Sequence, residues 1–113
     1  MIARSWRGAV RSEDADAYAR YMEGTGVDGY AAVPGNRGVW MLRSARPGGL
    51  TDFLMITLWD SLDAVRGFAG KDIETAVFYP EDERFLVERE LTATHWELAS
   101  HRPDPRAGEP GPS

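Results

Sequence analysis

The chain contains no cysteine, and this absence excludes several classes of chemistry. Disulfides, thiolate-bound metals and a cysteine nucleophile all require a thiol. No stretch approaches the roughly 20 apolar residues of a membrane span, so we expect no membrane as a partner. The first six residues have a strand-like composition rather than that of a secretory signal, which predicts a cytoplasmic protein.

Lysine is almost absent as well, since one lysine stands against 12 arginines. The net charge is −5 and the basic residues are scattered, so nucleic acid is not expected as a partner. The arginine bias indicates a GC-rich genome rather than phosphate recognition. The sequence has no His-x-His or Glu-x-x-His pair and no dinucleotide or flavin fingerprint, so we predict neither a metal nor a cofactor.

The most informative segment is the apolar run at residues 53–59, followed by a helix pattern. This run is too apolar for a strand with one wet face. Asp60 is expected to cap the helix, and Gly70 to end it. The apolar face of the helix consists of Leu62, Val65, Phe68 and Ala69.

The other elements follow from periodicity and turn residues. Alternation predicts a strand over residues 2–7, and a helix follows that Ser12 caps and the glycines of residues 24–26 end. A second strand over residues 38–45 and the turn at residues 46–49 form a hairpin with the apolar run. Short helical pieces are expected at residues 72–77 and 80–85, and a final strand at residues 92–99.

The order β-α-β-β-α-β is that of the ferredoxin-like split unit, an α+β fold with an antiparallel four-stranded sheet. The domain comprises residues 1–99, and the Pro/Gly-rich tail of residues 100–113 is predicted to be disordered. Both helices cover one sheet face, yet the third strand has apolar residues on both faces. Dimerisation of two sheets, face to face, is the simplest way to bury the second face.

The chain resembles the antibiotic biosynthesis monooxygenase group of dimeric α+β barrels over residues 1–99. The residues that carry the resemblance are the opening residues 2–8, residues 57–61 with Ala64, Val65 and Phe68 after them, and residues 94–97. The resemblance implies a ligand pocket between the sheet and the helices. It also implies cofactor-free oxidation of polycyclic phenols to quinones, or degradation of haem.

The haem-degrading members are recognised by an Asn, a Trp and a His. Aligned on the Trp-x-Ser junction at Trp59, this chain has Phe68 in place of the Trp and Phe78 in place of the His, and Arg4 lies near the Asn position. That set is therefore missing here. Of the quinone-forming pattern, Trp59 carries over.

Nine side chains are candidates for the site. His95 lies inside the fold and is neutral near pH 7, so it is the candidate general base, with Glu97 on the same strand face to orient it. Arg4 and Tyr79 are the candidates for stabilising a substrate anion. The substrate-binding candidates are Trp59, Trp6, Trp40, Phe68, Phe78 and Arg43.

Each candidate also has a structural interpretation. The tryptophans could be core residues, the arginines could form surface ion pairs, His95 could lie at a sheet edge, and residues 81–83 are most simply a solvated acidic turn. The sequence predicts a tailoring enzyme that acts on a hydrophobic, oxygenated aromatic or polyketide-like metabolite. A cyclase or isomerase with the same pocket, and a non-catalytic ligand-binding or stress-response protein, remain open.

Overall fold

The computed structural model of the protein describes residues 1–102. The strands are β1 (Ile2–Arg11), β2 (Asn36–Arg46), β3 (Leu50–Trp59), β4 (Leu86–Arg89) and β5 (Thr94–Glu97). The helices are α1 (Ala15–Met22), α2 (Asp28–Ala31), α3 (Leu62–Ala69) and α4 (Asp82–Phe85). Among the described residues, no helix is long and apolar enough to cross a membrane.

The sheet is antiparallel, and its order is β2-β3-β1 with both β4 and β5 on the free edge of β1. Strand β5 pairs with the first half of β1, and β4 with the second half. The two short strands together take the place of the single final strand predicted at residues 92–99. When β4 and β5 are counted as one strand, the order of the strands is that of the predicted ferredoxin-like fold.

The two sheet faces differ sharply in burial. On β3, alternate residues from Thr51 to Trp59 point toward the helices and are buried, while Leu54, Ile56 and Leu58 on the outer face are half-buried. The inner face carries the core, in which Tyr18, Phe53 and Trp59 are fully buried. Within residues 1–102, nothing covers the apolar outer face.

The first helical region differs from the prediction at both ends. Ser12 does not cap a helix, because its hydroxyl lies 2.8 Å from that of Thr51. The glycines at residues 24–26 do not end the helix, because the chain continues through a π-helical turn, Glu23–Val27, into α2. Gly26 is buried, and a Cβ there would lie 2.7 Å from Met22 Cε, so close packing outweighs the low helix propensity of glycine.

Two further local predictions are wrong. Ser61 rather than Asp60 caps α3, because the Ser61 Oγ accepts from the Ala64 amide at 3.2 Å while Asp60 pairs with Arg37 at 2.6 Å. Residues 72–77 are not helical. Thr75 forms an isolated β-bridge with Thr92, so this segment runs over the gap between β4 and β5.

Other predictions are confirmed. The turn at residues 46–49 contains two glycines with positive φ, 96° at Gly48 and 81° at Gly49, and it joins β2 to β3 as a hairpin. Gly70 ends α3 with φ +82°. The predicted disordered tail, apart from residues 100–102, lies outside the described residues.

Candidate active site

Arg4 and His95 lie opposite each other across the β1–β5 pair, and both face the helices. Arg4 is 4% exposed. Its Nη1 donates to the Ile73 carbonyl oxygen and lies 3.0 Å from His95 Nε2, and its Nη2 donates to the Thr75 carbonyl oxygen at 3.1 Å. Arg4 thus holds residues 72–77 against the sheet. These carbonyl bonds explain why that segment is not helical.

The contact with Arg4 fixes the chemical state of His95. Because a guanidinium can only donate, Nε2 accepts and the ring proton of the neutral histidine is on Nδ1. Burial lowers the pKa of His95, and the charge of Arg4 lowers it further, against a smaller opposing effect of Glu74. His95 is therefore neutral at pH 7, the state that a general base requires.

A group of stacked aromatic rings lies beside Arg4. The Arg4 Cζ atom is 5.8 Å from the centre of the Phe68 ring, and Phe68 lies 5.9 Å from Trp59 and 4.5 Å from Tyr30. The indole N–H of Trp59 donates to Thr57 Oγ1 at 2.8 Å, so it is already used within the protein. The indole N–H of Trp59 is therefore not free to bind a ligand. Trp59 contributes its ring face instead, and Phe68 stacks on that face.

Tyr30 belongs to this aromatic group, although the sequence analysis did not select it. It is 7% exposed. Burial chiefly, and then Tyr79, raise the pKa of Tyr30 to about 12, whereas the charge of Arg4 opposes this shift. Arg4 and Tyr79 thus both act electrostatically on the Tyr30 hydroxyl. Its place in an irregular connector gave no periodic signal that could have identified it.

The second part of the inner face contains Trp6, Phe78 and Tyr79. Trp6 and Phe78 pack edge to face with centroids 5.9 Å apart, and the indole N–H of Trp6 donates to the Glu90 carbonyl at 2.6 Å. A Cβ on Gly29 would lie 2.9 Å from the Tyr79 hydroxyl oxygen, so Tyr79 packs directly against α2. Burial raises the pKa of Tyr79, so the hydroxyl is a proton donor at neutral pH.

Two sequence candidates lie elsewhere. Trp40 is opposite Ile56 on the outer face and is 48% exposed, so it does not meet the Arg4–His95 pair. Arg43 shares the inner face but forms an ion pair with Asp16 of α1, 2.8 Å away, at the rim. Five candidates do share the interior with Arg4 and His95, and these are Trp6, Trp59, Phe68, Phe78 and Tyr79.

A polar recess of about 410 Å³ gives access to His95 from the surface. It is lined by Glu74, Thr92, Ala93, Thr94 and His95. Glu97 shares the strand face of His95, but Glu74 is the carboxylate that lines the recess with the ring. Of the Arg4–His95 pair, the recess is lined by His95 and not by Arg4.

No family model matches the sequence, and no curated protein matches it. Solved structures do match. One is a Bacillus cereus protein described as a candidate antibiotic biosynthesis monooxygenase, with TM-score 0.65, 10% identity, and 91% of this chain and 97% of that chain covered. A variant of MhuD with two manganese protoporphyrin IX groups bound per active site gives TM-score 0.60 at 12% identity, covering 92% and 100%.

Rv0793 from Mycobacterium tuberculosis has TM-score 0.57 at 19% identity, covering 88% of this chain and 96% of that one. Identities this low show the fold alone. The chain has the fold of the antibiotic biosynthesis monooxygenase-like proteins, as the sequence resemblance implied.

Proposed function

We propose that this chain, which has the fold of the antibiotic biosynthesis monooxygenase-like proteins, is a cofactor-free oxygenase of hydroxylated aromatic compounds. The observation that carries the proposal is the Arg4–His95 pair, which faces inward beside Phe68 and Trp59. A buried guanidinium beside a neutral imidazole is an arrangement typical of sites that deprotonate a substrate and stabilise its anion.

Arg4 is the group that stabilises a substrate anion. A guanidinium has five N–H donors, and three of them serve Ile73, Thr75 and His95. Two donors and the full positive charge remain for a phenolate oxygen. Because the group is buried, its attraction for an anion is screened less than it would be at the surface.

His95 is the group that takes the substrate proton. In the free protein its Nε2 lone pair is directed to Arg4. A substrate hydroxyl that replaces this contact donates to Nε2, and the Arg4 N–H that is released turns to the oxygen as it becomes negative. The same change of hydrogen-bond partners therefore allows proton transfer to His95 and stabilises the anion through Arg4. Phe68 and Trp59 pack against the substrate ring.

The deprotonated substrate then supplies the electrons itself. In the net conversion of a phenol to a quinone, the hydroxyl group and a ring C–H each lose one hydrogen, and the substrate gives four electrons to O₂. One oxygen atom forms the carbonyl, and the other leaves as water with the two hydrogens. No further reductant is required, in accord with the expectation of a cofactor-free reaction.

Haem chemistry has less support in these residues. Phe68 and Phe78, which stand where the resemblance has a Trp and a His, carry no atom that can bind iron. His95 could bind iron only by giving up its contact with Arg4. The porphyrin groups bound in the MhuD variant are therefore not carried over to this chain.

A homodimer is part of the proposal. The outer face presents Trp40, Leu42 and Trp96 at 48%, 49% and 57% exposure. An apolar groove of about 370 Å³ crosses this face, lined by Ala3, Trp40, Leu42, Ile56, Leu58, Leu98 and His101. A second copy supplies the same apolar surface and would cover the groove about a two-fold axis.

Oxygen uptake with a panel of hydroxynaphthalenes and anthrones tests the function. We expect uptake by the wild type and at least a hundredfold lower rate in His95→Asn and Arg4→Met. The control, Arg66→Met, removes an exposed arginine paired with Asp63 on α3 and should keep the wild-type rate.

The same experiment separates the alternatives. Turnover without oxygen consumption would indicate a cyclase or isomerase, and binding without turnover a ligand-binding protein. If uptake were unchanged in both site variants, the assignment of Arg4 and His95 would be wrong.

A further inference from the structure

Tyr18 and Asp82 are buried on the inner side of the molecule, away from the Arg4–His95 pair, and each has a polar atom without a partner. Tyr18 is 0% exposed and Asp82 is 3% exposed. Neither the Tyr18 hydroxyl nor Asp82 Oδ1 has a hydrogen-bond partner among the described residues. Buried polar atoms in folded proteins nearly always have a hydrogen-bond partner. The absence of one for both the Tyr18 hydroxyl and Asp82 Oδ1 therefore requires an explanation.

The packing brings the two side chains to the same place. The Tyr18 ring lies 5.5 Å from that of Phe85, which follows Asp82 by three residues on α4 and so shares its helix face. The hydroxyl of Tyr21, also on α1, accepts from the Glu81 amide at 3.0 Å and fixes α1 against the start of α4. Burial raises the pKa of Tyr18, and the nearby Asp82 carboxylate raises it further.

Asp82 is held in position by its other oxygen. Oδ2 accepts from the Tyr79 amide at 2.5 Å, so the carboxylate cannot turn away and Oδ1 remains free to accept. Asp82 supplies an acceptor and the Tyr18 hydroxyl can both donate and accept. A single hydroxyl group between them would satisfy both.

We propose that Tyr18 and Asp82 form a second subsite, which binds a hydroxyl at the far end of the substrate. This inference rests on the proposed function, and it narrows the substrate class to elongated aromatics with an oxygen at each end. Tyr18 packs on Phe53, which pairs with Gly8, four residues along β1 from Arg4. Four strand residues span about 13 Å, and Trp6 of β1 supplies aromatic surface between the two ends.

The test compares 2-naphthol, which has one hydroxyl, with 2,6-dihydroxynaphthalene, which has one at each end, by titration calorimetry. The wild type should bind the diol about tenfold more tightly, since a hydrogen bond to a charged group accounts for at least that factor. In Tyr18→Phe and Asp82→Asn the preference should fall to the small statistical factor of two equivalent hydroxyls. Affinity for 2-naphthol should be unchanged.

A control variant matches the carboxylate change. Asp28→Asn changes an exposed carboxylate on α2, so it should keep the tenfold preference. Should Asp82→Asn fail to fold, Tyr18→Phe still decides, because its hydroxyl has no partner to lose among residues 1–102.

The outcomes separate this inference from the function on which it rests. If the wild type bound both compounds equally, the subsite would be wrong while the phenol-binding site stood. A preference that survived in Tyr18→Phe and in Asp82→Asn would also overturn it, with water left as the group that the two atoms share. If neither compound bound the wild type, the subsite and the proposed phenol-binding site would both fail.

Discussion

Replacement of Arg4 by Met should destabilise the fold strongly, although the new side chain is apolar and of similar length. Arg4 bonds three buried or half-buried acceptors, the carbonyls of Ile73 and Thr75 and the Nε2 atom of His95. All three lose their donor in Arg4→Met. The residues that Arg4 holds down, 72–77, also cover the gap between β4 and β5.

The expected cost can be worked from these contacts. A buried acceptor left without a partner costs about 1–3 kcal/mol, and three would cost about 3–9 kcal/mol if none were rehydrated. Two effects offset part of this cost. The guanidinium no longer has to be desolvated, and water can reach residues 72–77 once that segment loosens. We expect a net loss of about 3 kcal/mol, a large share of the roughly 5–15 kcal/mol that stabilises a domain.

Urea denaturation followed by tryptophan fluorescence measures this loss, at one fixed protein concentration because a dimer would make stability concentration-dependent. The control Arg66→Met removes an exposed ion pair and should cost less than about 1 kcal/mol. If Arg4→Met were as stable as Arg66→Met, the three bonds would not hold the segment. The inward position of Arg4, and with it the site, would then be wrong.

Three further predictions concern His95, the outer face and the α3 cap. Because the folded-state pKa of His95 is lowered, the unfolded chain binds more protons below pH 6.5, so stability should fall as the pH falls from there toward the folded-state pKa. His95→Asn should remove that part of the slope in denaturation curves between pH 5 and 8, and an unchanged slope would contradict the Arg4 contact. Trp40→Asp should convert a dimer to a monomer in sedimentation equilibrium, whereas Leu62→Asp on α3 should not; equal masses for the two would contradict the outer-face dimer. Ser61→Ala should cost about 1 kcal/mol by loss of the bond to the Ala64 amide, and Ser61→Asn should restore it.

The long regular elements could be predicted because their pattern repeats. The unbroken apolar run at residues 53–59 predicted a strand with two apolar faces, and the turn at residues 46–49 predicted its pairing with β2. The phase of β1 also predicted that Arg4 and Trp6 share one face. These are properties of single elements, and the side-chain period of a strand is enough to find them.

The predictions that were wrong concern features that depend on contacts between elements. Residues 72–77 read as helical, but carbonyls of Ile73 and Thr75 are taken by Arg4, some 70 residues earlier. Strand β4 is four residues long and shows no alternation, so its pairing with β1 gave no sequence signal.

The residues of the candidate site could also be predicted only in part. The acidic run at residues 81–83 read as solvated, and nothing in composition distinguishes Asp82, which is 3% exposed, from its exposed neighbours. Tyr30 was missed because the four-residue helix α2 is too short to show a helical period. Trp40 was placed with the pocket because the strand pattern shows which residues share a face, but not which face the helices cover.

The central claim is that the interior binds a phenol and stabilises its anion beside Arg4 and His95. The most direct test is a pH titration of the absorption spectrum of bound 2-naphthol. We expect the naphtholate band to appear at a lower pH with the wild type than in free solution, and this shift to vanish with Arg4→Met, because the Arg4 guanidinium stabilises the anion. A bound naphthol that titrates as it does in water, or a shift that persists in Arg4→Met, would contradict the account.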